Sequence, residues 1–153
     1  MARPNFYARK HTVSAYRSGL EVKISEQLEK AGVNAEYEAY KIPYVKPQTN
    51  HKYCVDFVLP NGILIESKGL FDVADRQKHL LLKEQHPELD LRFVFSRSAT
   101  KLYKGSKTTY ADWCIKNGFK FADKLIPTEW LKEKTNVKSK AALLELTGDK
   151  HNG

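Results

Sequence analysis

Two acidic residues and one lysine flank a turn signal near the middle of the chain. Asp56 lies in one apolar run, and Glu66 and Lys68 lie in the next, with Pro-Asn-Gly at positions 60–62 between them. Two runs rich in Val, Ile, Leu and Phe around such a tripeptide predict a β-hairpin. The chemistry open to the three side chains therefore depends on the register of this hairpin.

The length of the turn decides which residues face one another. A two-residue loop pairs Asp56 with Ser67 and puts Glu66 and Lys68 on the opposite face. A three-residue loop pairs Asp56 with Glu66, and Lys68 shares their face because strand side chains alternate. We favour three residues, since the proline suits the first central position of a type I turn and the glycine suits the left-handed position that follows.

Two carboxylates on one face repel each other unless a cation lies between them. Mg²⁺ takes oxygen ligands and keeps open positions for water, and a nearby ammonium such as Lys68 would orient that water or stabilise charge on a phosphate. The alternative is an ordinary Glu66–Lys68 surface pair, worth at most about 1 kcal/mol. Both runs are otherwise apolar on their two faces, as in buried strands, where unmatched charge is costly. This context favours a functional site.

The length and net charge of the chain limit the classes of function that the protein can have. The chain has 153 residues and a formal net charge of +8, which indicates one domain and a polyanionic partner such as nucleic acid. No run of about eighteen apolar residues predicts a membrane span, and the basic N-terminus has no apolar segment typical of a secretory signal. Two cysteines make no disulfide framework, so we expect a reduced, cytosolic compartment.

A helix predicted from residue 18 to about residue 31 brings in a further carboxylate. Ser18 and Glu21 have the spacing of a capping box, and Gly32 is a C-terminal signal. Capping and a place in a catalytic site compete for the Glu21 side chain, and the spacing alone leaves the two roles open.

The remaining patterns predict an α/β fold with a mixed central sheet flanked by helices. The two prolines of segment 43–50 favour an extended connection, and both His79 and His86 are expected on a helix surface. The predicted strands cover residues 36–42 and 89–95 besides the hairpin, and residues 119–126 are expected to form a strand or an extended stretch. The predicted helices cover residues 72–86, 109–117, 127–131 and 141–146.

Basic residues outside the hairpin are candidates for phosphate contacts, although each could equally be a solvated surface charge. Apart from Arg17, they cluster in an N-terminal arm, residues 1–12, along the helix 72–86, and in a polar loop, residues 96–107. The candidates are Arg3, Arg9, Lys10, Arg17, Arg76, Lys78, Arg97, Lys101, Lys104 and Lys107.

Several motifs of the sequence resemble those of a known family. Asp56 followed about ten residues later by Glu66-Ser67-Lys68 resembles the signature of the PD-(D/E)xK nuclease superfamily, with Val55 where proline is usual. Longer blocks are similar to the phage endonuclease I family of junction-resolving enzymes, over roughly residues 16–133. These blocks are Arg17-Ser18-Gly19-Leu20-Glu21, the stretch from Phe57 to Ile63, Glu66 to Leu70, Lys78 to Asp90, and Phe121 to Pro127.

The resemblance implies a restriction-endonuclease-like core and a set of roles. Asp56, Glu66 and the Ser67 carbonyl would hold Mg²⁺, with Mn²⁺ able to substitute and two ions at each site. Glu21 would complete the metal site, and Lys68 would position the attacking water. The nuclease domain would span residues 13–133, with a lysine-rich tail at 134–153.

The resemblance also implies a substrate and an assembly. The substrate would be four-way and other branched DNA, cut by paired phosphodiester hydrolysis in the cytoplasm of a bacterial host. Residues 43–50 would bridge two chains of an intertwined homodimer whose active sites are shared between the chains. The alternatives are a non-catalytic branched-DNA-binding protein and a sequence-specific endonuclease of the same superfamily.

Overall fold

The structure is a computed structural model, and it describes residues 18–46 and 49–148. The described helices are α1 (Gly19–Lys30), α2 (Val73–Gln85), α3 (Tyr110–Asn117), α4 (Thr128–Lys132) and α5 (Val137–Thr147). The strands are β1 (Glu36–Tyr37), β2 (Lys41–Lys46), β3 (Thr49–Cys54), β4 (Phe57–Val58), β5 (Ile63–Lys68), β6 (Asp90–Phe95) and β7 (Phe121–Asp123).

The central sheet has five strands in the order β1-β4-β5-β6-β7. Strands β1, β4 and β5 pair antiparallel, whereas β5, β6 and β7 run parallel, so the sheet is mixed. The helices α2 and α3 lie in the two parallel crossovers, which need connections of this length. The predicted α/β class with a mixed sheet flanked by helices is confirmed.

The apolar side chains of β5 divide between the two faces of the sheet, which explains the uninterrupted apolar run in the sequence. Ile63 and Ile65 pack with Ile24 and Leu28 of α1 on one face. Leu64 packs on the other face in a cluster with Leu82 of α2 and Leu143 of α5. Each face is therefore covered, and the polar groups of β5 emerge only at its carboxyl end.

The prediction of one strand over residues 36–42 is wrong, because the chain changes direction inside it. Glu38 has the left-handed backbone conformation, with φ of 45°, and its N–H donates to the Asp56 carbonyl at 2.9 Å. Strand β1 therefore pairs with β4, whereas β2 leaves the central sheet and pairs with β3.

The prediction of an extended connection over residues 43–50 is also wrong for the part that the structure describes. Pro43 lies within β2 opposite Lys52, and the β2–β3 pairing continues to Lys46 opposite Thr49. A two-stranded sheet has only edge strands, where a proline without an N–H is tolerated. The side chain of Gln85 fastens this hairpin to α2 through two hydrogen bonds of 2.7 Å with the backbone of Val45.

The helix predicted over residues 141–146 begins earlier and packs on its own chain. Its N-cap Asn136 accepts from the N–H of Ser139, and the Asn136 backbone N–H donates to the carbonyl of Asn61 at 2.7 Å. The buried hydroxyl of Ser139 donates to the Gly62 carbonyl at 2.7 Å. Helix α5 therefore lies directly on the turn of the β4–β5 hairpin.

Candidate active site

The β4–β5 hairpin has the three-residue loop, and the two-residue alternative is wrong. The Leu59 N–H donates to the Ile63 carbonyl at 2.9 Å, which closes the loop over residues 60–62. Gly62 adopts φ of 91°, as the left-handed position requires. The register Phe57 opposite Ile65 extends by one position to place Asp56 beside Glu66.

Asp56 lies just before β4 and is buried. One oxygen, Oδ2, accepts two hydrogen bonds from Ser67, from the backbone N–H and from the hydroxyl, each at 2.9 Å. Burial and, to a smaller extent, the negative charges of Glu66 and Glu21 together raise the pKa of Asp56 to about 9, against the opposing effect of the Ser67 bonds. A cation beside a carboxyl group with such a pKa would strongly stabilise its ionised form.

Glu21 reaches the same place from helix α1. The Ser18 hydroxyl caps this helix by accepting from the Glu21 N–H at 3.1 Å. The Glu21 carboxylate itself accepts from the Tyr37 hydroxyl at 2.8 Å. Ser18 therefore supplies the cap, while the buried Glu21 carboxylate is directed towards the sheet.

A third carboxylate, Glu38, completes a cluster with Glu21 and Asp56. One oxygen from each of the three residues lies within 4.8 Å of the others. Oxygen ligands at this spacing suit a hard divalent cation. Glu38 is not among the site residues predicted from the sequence, because its position depends on its left-handed backbone conformation between β1 and β2, which no sequence motif indicates.

Glu66 has different partners, although it lies beside Asp56 in register. Its Oε1 accepts a hydrogen bond from the buried hydroxyl of Tyr53, and its Oε2 lies 3.4 Å from the ammonium of Lys68. Burial raises the pKa of Glu66, while Lys68 and Tyr53 oppose this rise. Within residues 18–46 and 49–148, Glu66 is not among the three carboxylates that cluster within 4.8 Å.

Lys68 lies between two carboxylates. Its Nζ donates to Asp75 Oδ1 at 3.0 Å, in addition to the contact with Glu66. Burial lowers the pKa of Lys68, but Glu66, Asp75 and Asp56 together raise it above its ordinary value. The side chain is therefore an ammonium at neutral pH. Asp75 belongs to the first turn of α2. Like Glu38, it lies near the site and was not predicted from the sequence.

The prediction that His79 lies on a helix surface is wrong. Its side chain is fully buried, and both ring nitrogens lack a hydrogen-bond partner among the residues that the structure describes. The ring packs edge-on against Tyr53 and Phe93, with centroids 5.2 and 4.8 Å away. Burial lowers its pKa well below the ordinary value, and Lys78 and Lys68 add to this effect. His79 is therefore a neutral packing residue behind Tyr53.

The candidate DNA contacts fall into three groups. Arg97, Lys101, Lys104 and Lys107 are exposed along the loop that follows β6. Arg76 and Lys78 have partners within the chain, since Arg76 donates to the Phe71 carbonyl at 2.7 Å and Lys78 lies 3.8 Å from Asp75. Arg3, Arg9, Lys10 and Arg17 lie outside the described residues.

Comparisons with known proteins show that the sequence is similar to endonucleases of bacteriophages. The sequence matches the family described as Phage endonuclease I over residues 1–150. It is 64% identical over 121 residues to "Endonuclease I" of Escherichia phage T7, covering 79% of this chain and 81% of that protein. It is 61% identical over 119 residues to "Endodeoxyribonuclease 1" of Enterobacteria phage T3, covering 78% of each chain.

The chain belongs to the phage endonuclease I family, and it is accordingly a nuclease. Among the described residues, no helix has the length and apolar character needed to cross a membrane.

Proposed function

We propose that this protein is a structure-selective, metal-dependent endonuclease that resolves four-way and other branched DNA by paired phosphodiester hydrolysis. The observation that carries the proposal is the carboxylate cluster around the buried Asp56, with the ammonium of Lys68 on the neighbouring strand. The net charge of +8 supports a nucleic-acid substrate. The phage origin of the relatives supports the cytoplasm of a bacterial host as the compartment.

The residues present fit a divalent metal ion. Asp56, Glu21 and Glu38 offer only oxygen ligands, and Mg²⁺ prefers these, with Mn²⁺ as a substitute. Glu66 and the Ser67 carbonyl would extend the ligand set, which would suit two ions in each site. When bound, such ions supply Lewis-acid stabilisation of the charge that develops during phosphodiester hydrolysis.

The protein side chains would then divide the remaining tasks. Lys68 carries a proton at neutral pH, so it would donate a hydrogen bond that orients the attacking water or stabilises negative charge on the phosphate. Asp75 would hold the ammonium of Lys68 in place through the 3.0 Å contact. The Tyr53 hydroxyl would hold Glu66 in the same way.

The active form would be a homodimer with shared sites. In the structure Glu21 and Asp56 meet within one chain, and the β2–β3 hairpin separates them in sequence. If two chains exchange across residues 43–50, the same contacts re-form between Glu21 of one chain and Asp56 of the other, because domain swapping conserves contacts. A two-fold dimer would present two sites to two strands of one junction.

A labelled four-way junction and its matching duplex provide the direct test. We expect Mg²⁺ to support cleavage of the junction well ahead of the duplex, and Ca²⁺ to support binding alone. Cleavage that a chelator leaves undiminished would refute the metal requirement. Equal cleavage of junction and duplex would refute structure selection, and cleavage at one fixed sequence would favour a sequence-specific endonuclease instead.

A further inference from the structure

A long groove of about 940 Å³ runs between helix α1 and the segment that joins β7 to α4. Lys23 and Lys30 line it from α1, and Lys124 lines it from the segment opposite. All three side chains are exposed. The carboxylate cluster and Lys68 do not line this groove, and none of the candidate DNA contacts within the described residues lies in it.

The side chains that line the groove have a net positive charge. Among the described residues that line it, the three lysines face one acidic residue, Glu26. Within residues 18–46 and 49–148, none of the three lysines lies within 4.0 Å of a carboxylate in an ion pair, unlike Lys68 and Lys78 in the active site. Their charge is therefore available to an anionic partner.

The groove lies next to the active site at one edge of the central sheet, and a backbone hydrogen bond connects residues of the two. Strands β5, β6 and β7 run parallel, and their carboxyl ends lie at one edge, where ligands of open α/β sheets bind. Ser96, which lines the groove, donates its backbone N–H to the Lys68 carbonyl at 3.0 Å. Lys124 follows β7 directly, with a left-handed backbone of φ 70° and an N–H bond of 2.7 Å to the Phe95 carbonyl.

The same helix carries both the groove and the carboxylate cluster. Glu21 lies in the first turn of α1, and Lys23 and Lys30 continue along the helix away from it. Seven residues of helix extend over about 10 Å, which matches roughly three nucleotide steps of one strand at about 3.4 Å each. Exposed ammonium groups at this spacing suit separate phosphates along one strand better than one small fixed anion.

We propose that this groove binds the sugar–phosphate backbone of the DNA arm next to the cleaved phosphodiester, through Lys23, Lys30 and Lys124. This inference rests on the proposed function, and it adds a surface that determines how the substrate is aligned. The hydroxyl groups of Ser96 and Thr128, which also line the groove, would add sequence-independent contacts to the same strand.

The test compares two triple variants that lose the same charge. The first is Lys23→Ala/Lys30→Ala/Lys124→Ala. The control is Lys116→Ala/Lys134→Ala/Lys138→Ala, which removes three exposed lysines that do not line the groove. Binding of a labelled four-way junction is measured in Ca²⁺ over a range of salt concentrations, after circular dichroism and thermal unfolding establish that both variants are folded.

We expect the groove variant to lower the slope of log K against log salt by about two to three, because each lost phosphate contact removes roughly 0.9. Its affinity at about 0.1 M salt should fall on the order of 10²-fold, while the control variant should change little. Phosphate ethylation beside the cleaved bond should interfere with binding by the wild-type protein and lose that effect in the groove variant.

Equal losses in the two variants would overturn the inference, since they would show a general effect of net charge. An unchanged ethylation pattern would overturn it as well. A wild-type protein that fails to bind the junction would instead refute the proposed function. If the wild-type protein binds and does not cleave in Mg²⁺, the catalytic proposal fails, and the salt slopes still decide whether the groove binds DNA.

Discussion

The hydroxyl of Tyr53 donates a hydrogen bond to Glu66 in a fully buried contact, which connects the β2–β3 hairpin to the strand that carries Glu66 and Lys68. The Tyr53 ring packs edge-on against His79, and the ammonium of Lys78 lies 5.1 Å from its centre. One oxygen of Glu66 is thus fixed by an uncharged partner, while the other faces Lys68. This contact makes Tyr53 a positioning residue for the proposed metal site.

Replacement of Tyr53 by phenylalanine isolates this hydrogen bond, since the ring and its packing are kept. Loss of a partner that orients a metal ligand typically costs about 10- to 100-fold in metal affinity or activity. We expect Tyr53→Phe to shift the Mg²⁺ dependence of junction cleavage to higher concentration by such a factor and to weaken Ca²⁺ binding measured by calorimetry.

The matched control for this change is Tyr103→Phe, because the Tyr103 side chain is 65% exposed. The control should retain the wild-type metal dependence. If Tyr53→Phe lowers the melting temperature and leaves the metal dependence unchanged, the hydroxyl has a structural role only.

The raised pKa of Asp56 predicts an unusual pH dependence of stability in the absence of metal. The folded-state pKa of about 9 exceeds the ordinary value of 3.8, so the folded protein binds more protons than the unfolded chain between these two values. The stabilisation is fully present below about pH 4 and is lost progressively as the pH rises towards 9. Glu66, whose pKa is also raised, acts in the same direction.

The variant Asp56→Asn should remove most of this decrease in stability with rising pH. With a chelator present, we expect it to be more stable than the wild-type protein at pH 8 by at least about 1 kcal/mol, since one pKa unit corresponds to about 1.4 kcal/mol. Urea unfolding at pH 5, 7 and 9 measures the effect, with the exposed Glu129→Gln as a control. A wild-type protein that gains stability over this range would contradict the assigned burial of an uncompensated carboxyl.

The variants Asp56→Ala, Glu66→Ala and Lys68→Ala should each abolish cleavage and leave junction binding largely intact. Asp56 and Glu66 are buried and Lys68 is partly buried at the proposed site, where the three serve the chemistry, and removal of a carboxylate relieves repulsion towards DNA. Single-turnover cleavage and binding in Ca²⁺ separate the two effects. Near-wild-type cleavage by Lys68→Ala would show that the lysine has a structural role in the hairpin.

Mixed dimers test whether two chains share each site. Glu21→Ala chains are refolded with Lys68→Ala chains, and the mixed dimer is isolated. With sharing, one site takes Glu21 from the Lys68→Ala chain and its hairpin from the other chain, so it is intact and the second site carries both lesions. The mixed dimer should then nick one strand and fail to make the paired cut.

The opposite outcome of this experiment is equally informative. In the arrangement seen within a single chain, every site of the mixed dimer carries one lesion. A mixed dimer that binds junctions and cuts neither strand would therefore refute the exchange across residues 43–50 and leave the metal ligands as proposed.

Ser139 provides a test of the docked helix α5. Its hydroxyl accepts from the Asp90 N–H at 3.0 Å and donates to the Gly62 carbonyl at 2.7 Å, and the side chain is fully buried. Ser139→Ala leaves both backbone groups without this partner, which should cost about 1–3 kcal/mol in the free energy of unfolding. Cleavage by the folded protein should be unchanged, whereas the exposed Lys138→Ala should alter neither quantity.

The local patterns of the sequence determined the hairpin and the first helix. Pro60 and Gly62 select a three-residue loop by their own backbone preferences, and the side-chain alternation then puts Asp56 and Glu66 side by side. Ser18 caps α1 through a contact that spans only three residues. Such features depend on interactions between near neighbours, so they can be read without the rest of the fold.

The tertiary structure alone decided which groups surround these residues. Glu38 joins Glu21 and Asp56 because a left-handed residue breaks the strand between β1 and β2. Tyr53 meets Glu66 from a strand of the other sheet, and Asp75 meets Lys68 from a helix. Each contact depends on how separate elements pack together, and that packing cannot be predicted from the spacing of residues along the chain.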